Sequence, residues 1–174
     1  MTEIETARLQ LRKFSPGDLD DLFLLNSDPD VMRYIGSGIP ASREQTQASL
    51  NSIMGAWEQH GFGLWAAVYK EEKKLIGFCG LKYLDCTTEV EVGYRLAKNY
   101  WGMGLATEGA RASLEYGFNA LDLDRIVAVV QPGNIASQKV LEKIGLKYER
   151  DGRYYNSYVK YYSIDRQEHG SQKT

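Results

Sequence analysis

A glycine-rich turn and a pair of alternating carboxylates are the residues of this chain whose types and spacing suit chemistry. The turn is Trp101-Gly102-Met103-Gly104-Leu105-Ala106-Thr107. It follows a strand-like run from Glu89 to Leu96 and opens a helix-like run from Leu105 to Phe118. Such a turn presents unpaired backbone N–H groups at a helix N-terminus, where the dipole favours an anion, typically a phosphate. Gly102 and Gly104 carry no Cβ, so a diphosphate can approach the backbone. The run lacks the lysine of a P-loop and the third glycine of a dinucleotide fingerprint, and a lone G-x-G is also what a simple chain reversal needs. In the preceding strand, alternation puts Val90, Val92, Tyr94 and Leu96 on one face and Glu89, Glu91, Gly93 and Arg95 on the other. Two carboxylates sharing a face can take up a proton, and a close pair would raise the pKa of one member. A solvated polar face, with Arg95 as ion-pair partner, is the alternative.

A second segment, Gln131 to Leu146, contains Asn134-Ile135-Ala136-Ser137-Gln138-Lys139-Val140-Leu141-Glu142-Lys143-Ile144-Gly145. With Trp101 to Glu108 and the opening Thr6-Ala7-Arg8-Leu9-Gln10-Leu11-Arg12, it resembles the GNAT superfamily of acyl-CoA-dependent N-acyltransferases. The nearer likeness is to the ribosomal-protein N-terminal acetyltransferase (RimJ/RimL-type) group, with its W-G-x-G-x-A-T-E and N-x-x-S-x-x-V-L-E-K-x-G runs. Trp101 stands where the wider family has Gln or Arg, as it does in that group. The resemblance spans nearly the whole chain and implies a GNAT fold, in which two central parallel strands splay and the pantetheine arm lies between them. It implies acetyl-CoA as acyl donor, with its diphosphate on the backbone of Gly102, Met103, Gly104, Leu105, Ala106 and Thr107. The arm would meet the backbone near Arg95 and Leu96 and the amide of Asn134. Asn134 is also a good helix N-cap, and both roles are open to it.

Acyl transfer to an amine needs a base for the amine and a proton for the leaving thiolate. The resemblance favours Glu91, which precedes Val92-Gly93-Tyr94 as in the group's E-I-G-Y run, over Glu89. Many GNAT enzymes place an acidic tyrosine in the helix after the asparagine, and here that position is Leu141. The RimL-like enzymes have a serine where Ser137 stands, so Ser137 is expected to hydrogen-bond the leaving sulfur. Its plainer role would be a second capping hydroxyl. Twelve tyrosines offer substitutes, though most of those in 148–162 suit strand faces.

These residues must be positioned by an α/β domain with a mixed sheet flanked by helices. Strands are expected from Leu9, where Leu9 and Leu11, with Phe14 as a further candidate, alternate with Gln10 and Arg12, and over Leu64–Tyr69, Leu75–Tyr83, Glu89–Leu96, Arg125–Gln131, Leu146–Arg150 and Tyr158–Asp165. Ser15-Pro16 reads as a helix start. Ser42 with Gln45 forms a capping-box pattern for a helix to about His60, closed by Gly61. The helix from Leu105 and one from about Ala136 to Ile144 follow. A parallel strand pair across the Leu105 helix is expected, because that crossover has helix length. The segment Tyr34–Pro40 and the loop Gly61-Phe62-Gly63 are candidates to line the acceptor side, while Trp57 and Trp65 suit core packing. The chain reads as one domain over residues 1–174, with a frayed polar tail from 166 to 174.

The composition is that of a soluble globular protein, 43% hydrophobic and 25% charged, with a formal net charge of −2. Nothing in that balance points to nucleic acid. No apolar run approaches membrane-spanning length, and the start, Met1 to Thr6, is unlike a signal peptide. Cys79 and Cys86 form no metal-ligand pattern and read as free thiols of a cytoplasmic protein, with no metal expected. A monomer or a homodimer is compatible with the sequence. The acceptor is left open among a protein N-terminus, a polyamine, an aminoglycoside and an amino acid, the resemblance favouring the first. The rival classes are a non-catalytic acyl-CoA-binding module and a nucleotide-binding domain.

Overall fold

A computed structural model describes residues 3–171 of the chain. Its centre is an eight-stranded mixed sheet in the order β1-β2-β3-β4-β5-β6-β8-β7. The strands are β1 (Ile4–Glu5), β2 (Leu9–Arg12), β3 (Leu64–Tyr69), β4 (Lys74–Tyr83), β5 (Val90–Leu96), β6 (Arg125–Val130), β7 (Lys147–Tyr154) and β8 (Ser157–Asp165). The helices are α1 (Leu19–Asn26), α2 (Pro29–Met32), α3 (Arg43–His60), α4 (Leu105–Asn119), α5 (Ile135–Lys143) and α6 (Arg166–Ser171).

Local chemistry explains the borders. At the entrance of α3 the Ser42 N–H donates to the Gln45 side chain (2.9 Å), and the Gln45 N–H donates to the Ser42 hydroxyl (3.1 Å), closing the expected capping box. Gly61, left-handed at φ 76°, ends the helix. Ser15-Pro16 opens a short 3-10 turn over Pro16–Asp18, and α1 begins only at Leu19. The last two strands are longer than their apolar runs suggest. They meet in a two-residue hairpin whose central residues, Tyr155 and Asn156, both have positive φ, which suits the right-handed twist of the flanking strands. The expected frayed tail is corrected: residues 166–171 form α6, anchored by His169, which is buried with its ring 4.9 Å from that of Phe118. Residues 172–174 lie outside the described residues.

Both sheet faces are covered. Leu9, Trp65, Leu81, Val92, Leu105, Leu114, Phe118 and Leu141 join the sheet to α4 and α5. Leu22, Leu25, Val31, Leu50, Leu64 and Phe78 join it to α1, α2 and α3. Trp57 and Trp65 are core residues, as their sequence context suggests. α4 lies close to β4 because Gly109 faces it: a Cβ there would stand 2.8 Å from the Cys79 sulfur.

One seam in the sheet is open. β5 and β6 are parallel neighbours, as the crossover length requires, yet they pair only at Glu91↔Val127. On its other edge β5 is paired with β4 from Val90 to Leu96. Beyond Glu91, therefore, the β6-facing edge of β5 is not closed by its neighbour.

Candidate active site

A cavity of about 740 Å³ occupies that seam. β5 contributes Glu91, Val92, Gly93, Tyr94 and Arg95, and β6 contributes Ala128, Val129 and Val130. α5 adds Asn134, Ser137 and Leu141 on one side, while Leu22, Ile53, Leu64 and Phe78 wall the other. Because the cavity passes between the strands, residues from both faces of β5 reach it.

Glu91 lies at the mouth of the splay and is 5% exposed. The Tyr155 hydroxyl donates to its Oε1 at 2.9 Å, and the Lys82 ammonium is 3.4 Å from the same oxygen. Oε2 is buried without a partner. Burial raises the Glu91 pKa above the ordinary 4.5, against the opposing pull of Lys82 and Tyr155. The face carrying Glu91 is thus enclosed, not a solvated strip. The expected carboxylate pair is also corrected. Glu89 precedes the start of β5 and accepts from the Tyr161 hydroxyl, and desolvation first, then the Asp85 charge, raises the Glu91 pKa. Arg95 is not an ion-pair partner either; its Nη1 donates to the Asn26 side chain at 2.6 Å.

On the opposite side the Tyr94 hydroxyl is 2.9 Å from the Ser137 hydroxyl and donates to the Ser137 carbonyl at 3.0 Å. Burial raises the Tyr94 pKa well beyond the ordinary 10.0, so the phenol stays protonated. Either hydroxyl can donate in the 2.9 Å contact; where the phenol is the donor, the serine O–H is free for another acceptor. Ser137 is not a capping hydroxyl. The cap is Asn134, whose side-chain oxygen accepts from the Ser137 N–H at 3.2 Å. Asn134 also lines the cavity, and its NH₂ is not used by the cap, so one residue can cap and bind. Leu141 lines the cavity and has no proton to give.

The glycine turn lies apart from the cavity lining, at the exposed start of α4. Gly104 is the N-cap residue in left-handed conformation, φ 78°, which a β-substituted residue adopts only with strain. Its lack of a side chain leaves the first helical amides uncapped. Met103 is exposed, and its carbonyl accepts from Arg8 Nη1 at 2.7 Å. Arg8 also donates through Nε to Glu108 (2.7 Å), whose other oxygen accepts the Arg8 N–H (2.7 Å) and the Thr6 hydroxyl (2.6 Å). Burial alone would raise the Glu108 pKa, but these donors hold it below the ordinary 4.5. This clasp ties the turn to the segment before β2. Leu96 does not line the cavity. Its side chain is in the core and its carbonyl accepts from the Trp101 indole at 2.8 Å.

Tyr94 and Arg8 escaped the sequence reading as functional groups. Periodicity assigns Tyr94 to the buried face of β5, and no local pattern reveals that the strand edge there is open. From the segments Tyr34–Pro40 and Gly61–Gly63, Tyr34, Ile35, Gly36 and Gly63 line the cavity. The Gly36 carbonyl accepts from Gln131 (2.9 Å) and Ser157 (3.3 Å), which holds that loop at the rim.

Residues 8–147 match the acetyltransferase (GNAT) domain family. The protein YkkB of Bacillus subtilis is 38% identical over 164 residues, covering 92% of this chain and 94% of YkkB. The crystal structure of a GNAT-family acetyltransferase from Bacillus anthracis superposes with a TM-score of 0.82 at 32% identity, covering 96% of this chain and 100% of that one. A spermidine N-acetyltransferase from Vibrio cholerae, solved with CoA and spermine, shares the fold at a TM-score of 0.77 and 22% identity, over 94% of this chain and 99% of its own.

Proposed function

This chain belongs to the GNAT acetyltransferase family and is an acetyl-CoA-dependent N-acetyltransferase, and from that premise we propose that acetyl passes directly to a primary amine in the β5–β6 seam, with Glu91 as base and the Tyr94–Ser137 pair at the departing sulfur. One observation carries the reading. A buried, partnerless carboxylate oxygen and a paired phenol and serine hydroxyl border the same cavity from opposite faces of β5. An amine attacking the thioester carbon forms the C–N bond as the C–S bond breaks. The nitrogen loses a proton to Glu91 Oε2, directly or through water; the sulfur takes one through Ser137, which is reprotonated from solvent as Glu91 releases its proton there, so the step is proton-neutral overall. The raised Glu91 pKa suits a base that must also release its proton.

The residues present fit the acyl donor. The uncapped N–H groups at Gly104–Thr107 suit its diphosphate. The Asn134 NH₂ and the open edge of β5 at Tyr94–Arg95 suit the amides of the pantetheine arm. Arg8, fixed over the turn, adds positive charge there. The amine enters from the side of Leu22, Ile53 and the Tyr34–Gly36 loop. In our reading it is the α-amine of a peptide or a small primary amine. The test is a thiol-release screen of peptide N-termini, polyamines, aminoglycosides and amino acids with acetyl-CoA, products confirmed by mass. Binding of acetyl-CoA without turnover of any amine would instead indicate a non-catalytic binding module.

A further inference from the structure

The acceptor side of the cavity holds a cation without an anion. Arg95 extends from the same face of β5 as Glu91, and its guanidinium stacks on the Phe78 ring, 4.9 Å from the centroid. One nitrogen, Nη1, is held by the neutral Asn26 side chain, while Nε is buried with no partner. No carboxylate among the described residues forms an ion pair with Arg95. The remaining charges of the cavity, Lys82 and Glu91, pair through Glu91 Oε1 at 3.4 Å. Burial alone pushes the Arg95 pKa down, to about 10, with no compensating charge, so the group is still cationic at neutral pH. An unpaired buried cation is costly to a fold, and a guanidinium is shaped to take a planar carboxylate on two adjacent N–H groups. With Nη1 occupied, the Nε edge is the one left for a ligand. Leu22, Ile53, Leu64 and Phe78 give this side of the cavity an apolar wall, which strengthens a charged contact and favours a ligand with a short hydrocarbon segment.

We propose that Arg95 is an acceptor-recognition residue and that the physiological acceptor is an amine bearing a carboxylate, its anion on Arg95 and its nitrogen toward Glu91. This rests on the acetyltransferase reading above and narrows its substrate class. Residues 91 and 95 are four positions apart, roughly 13 Å along the strand at about 3.3 Å per residue. The carboxylate therefore sits several bonds from the nitrogen. A free ω-amino acid or a peptide N-terminus with an acidic side chain supplies that chemistry.

The test compares matched acceptors. Glycine, β-alanine, γ-aminobutyrate and ε-aminocaproate are each assayed against their carboxamides, and peptides beginning Ser-Glu against Ser-Gln, by thiol release with saturating acetyl-CoA. The expected result is a preference in kcat/KM of about 10- to 100-fold for the carboxylate, as a charge-assisted hydrogen-bond pair supplies, in one arm or the other according to the source. In Arg95→Met the ratio should collapse toward unity, and Arg95→Lys should retain part of it. The wild-type ratio does not depend on how either variant folds. Equal use of the neutral partners, or a preference that survives in a folded Arg95→Met protein, overturns the proposal and leaves the acetyltransferase reading standing. So does turnover confined to amines without a carboxylate. Failure of acetyl-CoA to raise the melting temperature would overturn both.

Discussion

Replacing Tyr94 by Phe tests whether the phenol acts with Ser137 or only packs beneath it. The change removes one oxygen, which lies 2.9 Å from the Ser137 hydroxyl and 3.0 Å from its carbonyl. Neutral hydrogen bonds contribute about 1 kcal/mol each net, so stability should fall by about 1–2 kcal/mol. For a chain of this size that is a drop in Tm of about 2–8 °C. If the two hydroxyls form one proton-delivering unit, Tyr94→Phe and Ser137→Ala should each lower turnover by about 10- to 100-fold, with little change in acetyl-CoA affinity. The double variant should then be no slower than the slower single one, because residues acting as a unit are not additive. Thiol release under saturating acetyl-CoA gives the rates, and thermal melts give the stability term. Since burial raises the Tyr94 pKa above 10.0, no alkaline limb from this phenol should appear below about pH 10. Normal turnover in a destabilised Tyr94→Phe protein, or multiplied losses in the double variant, would refute the coupled unit.

Glu91→Gln should lower turnover by at least about 100-fold and abolish the acidic limb of the pH–rate profile, while acetyl-CoA still binds; an unchanged profile would move the base elsewhere. Because the folded-state pKa of Glu91 is raised, ionising it costs stability as pH rises above 4.5. Glu91→Gln should accordingly melt higher than wild type at neutral pH and match it below about pH 4, as parallel melts across pH would reveal. Glu108 behaves oppositely. Its pKa is depressed, so its contribution is present above 4.5 and is lost as pH falls through the folded-state value. Glu108→Gln should cost about 1 kcal/mol at pH 7, the difference fading in acid, and equal destabilisation at pH 3 would count against the clasp. Gly104→Val should weaken CoA binding at least about 10-fold and also cost about 1–2 kcal/mol from its left-handed φ. Titration by calorimetry separates the two effects, and undiminished affinity in a folded protein removes the diphosphate assignment.

Much of this fold follows from local signals. The α3 entrance at Ser42–Gln45, its exit at Gly61 and the α4 entrance at Gly104 are encoded by neighbouring residues, and each lies where its motif puts it. Period-two patterns locate β2 and β5, and a continuous apolar run locates β3. The failures have a common cause in tertiary context. β7 is largely exposed, so it carries little apolar signal, and α6 is held by the docking of one histidine on Phe118. At the site, alternation correctly separates the two faces of β5 but cannot reveal that β6 diverges. Alternation alone therefore leaves a solvated face open to Glu91 and Arg95 beside the base reading of Glu91, and puts Tyr94 in the core. Glu89, adjacent in the pattern, falls outside the site because β5 starts only at Val90.

The single register joining β5 to β6 also divides the protein mechanically. Five strands lie on one side of that line and three on the other, with α4 as the covalent bridge between them. Opening or closing about Glu91↔Val127 would break no continuous ladder. Amide exchange at the seam-facing edges, near residues 94–95 and 129–131, is therefore expected to outpace that of β4 and β8, which are bonded on both edges. A molecule lodged along the gap would act as a tie-beam between the plates. The free enzyme should accordingly be the softer state, and its stiffening on filling should extend to strands that no ligand touches.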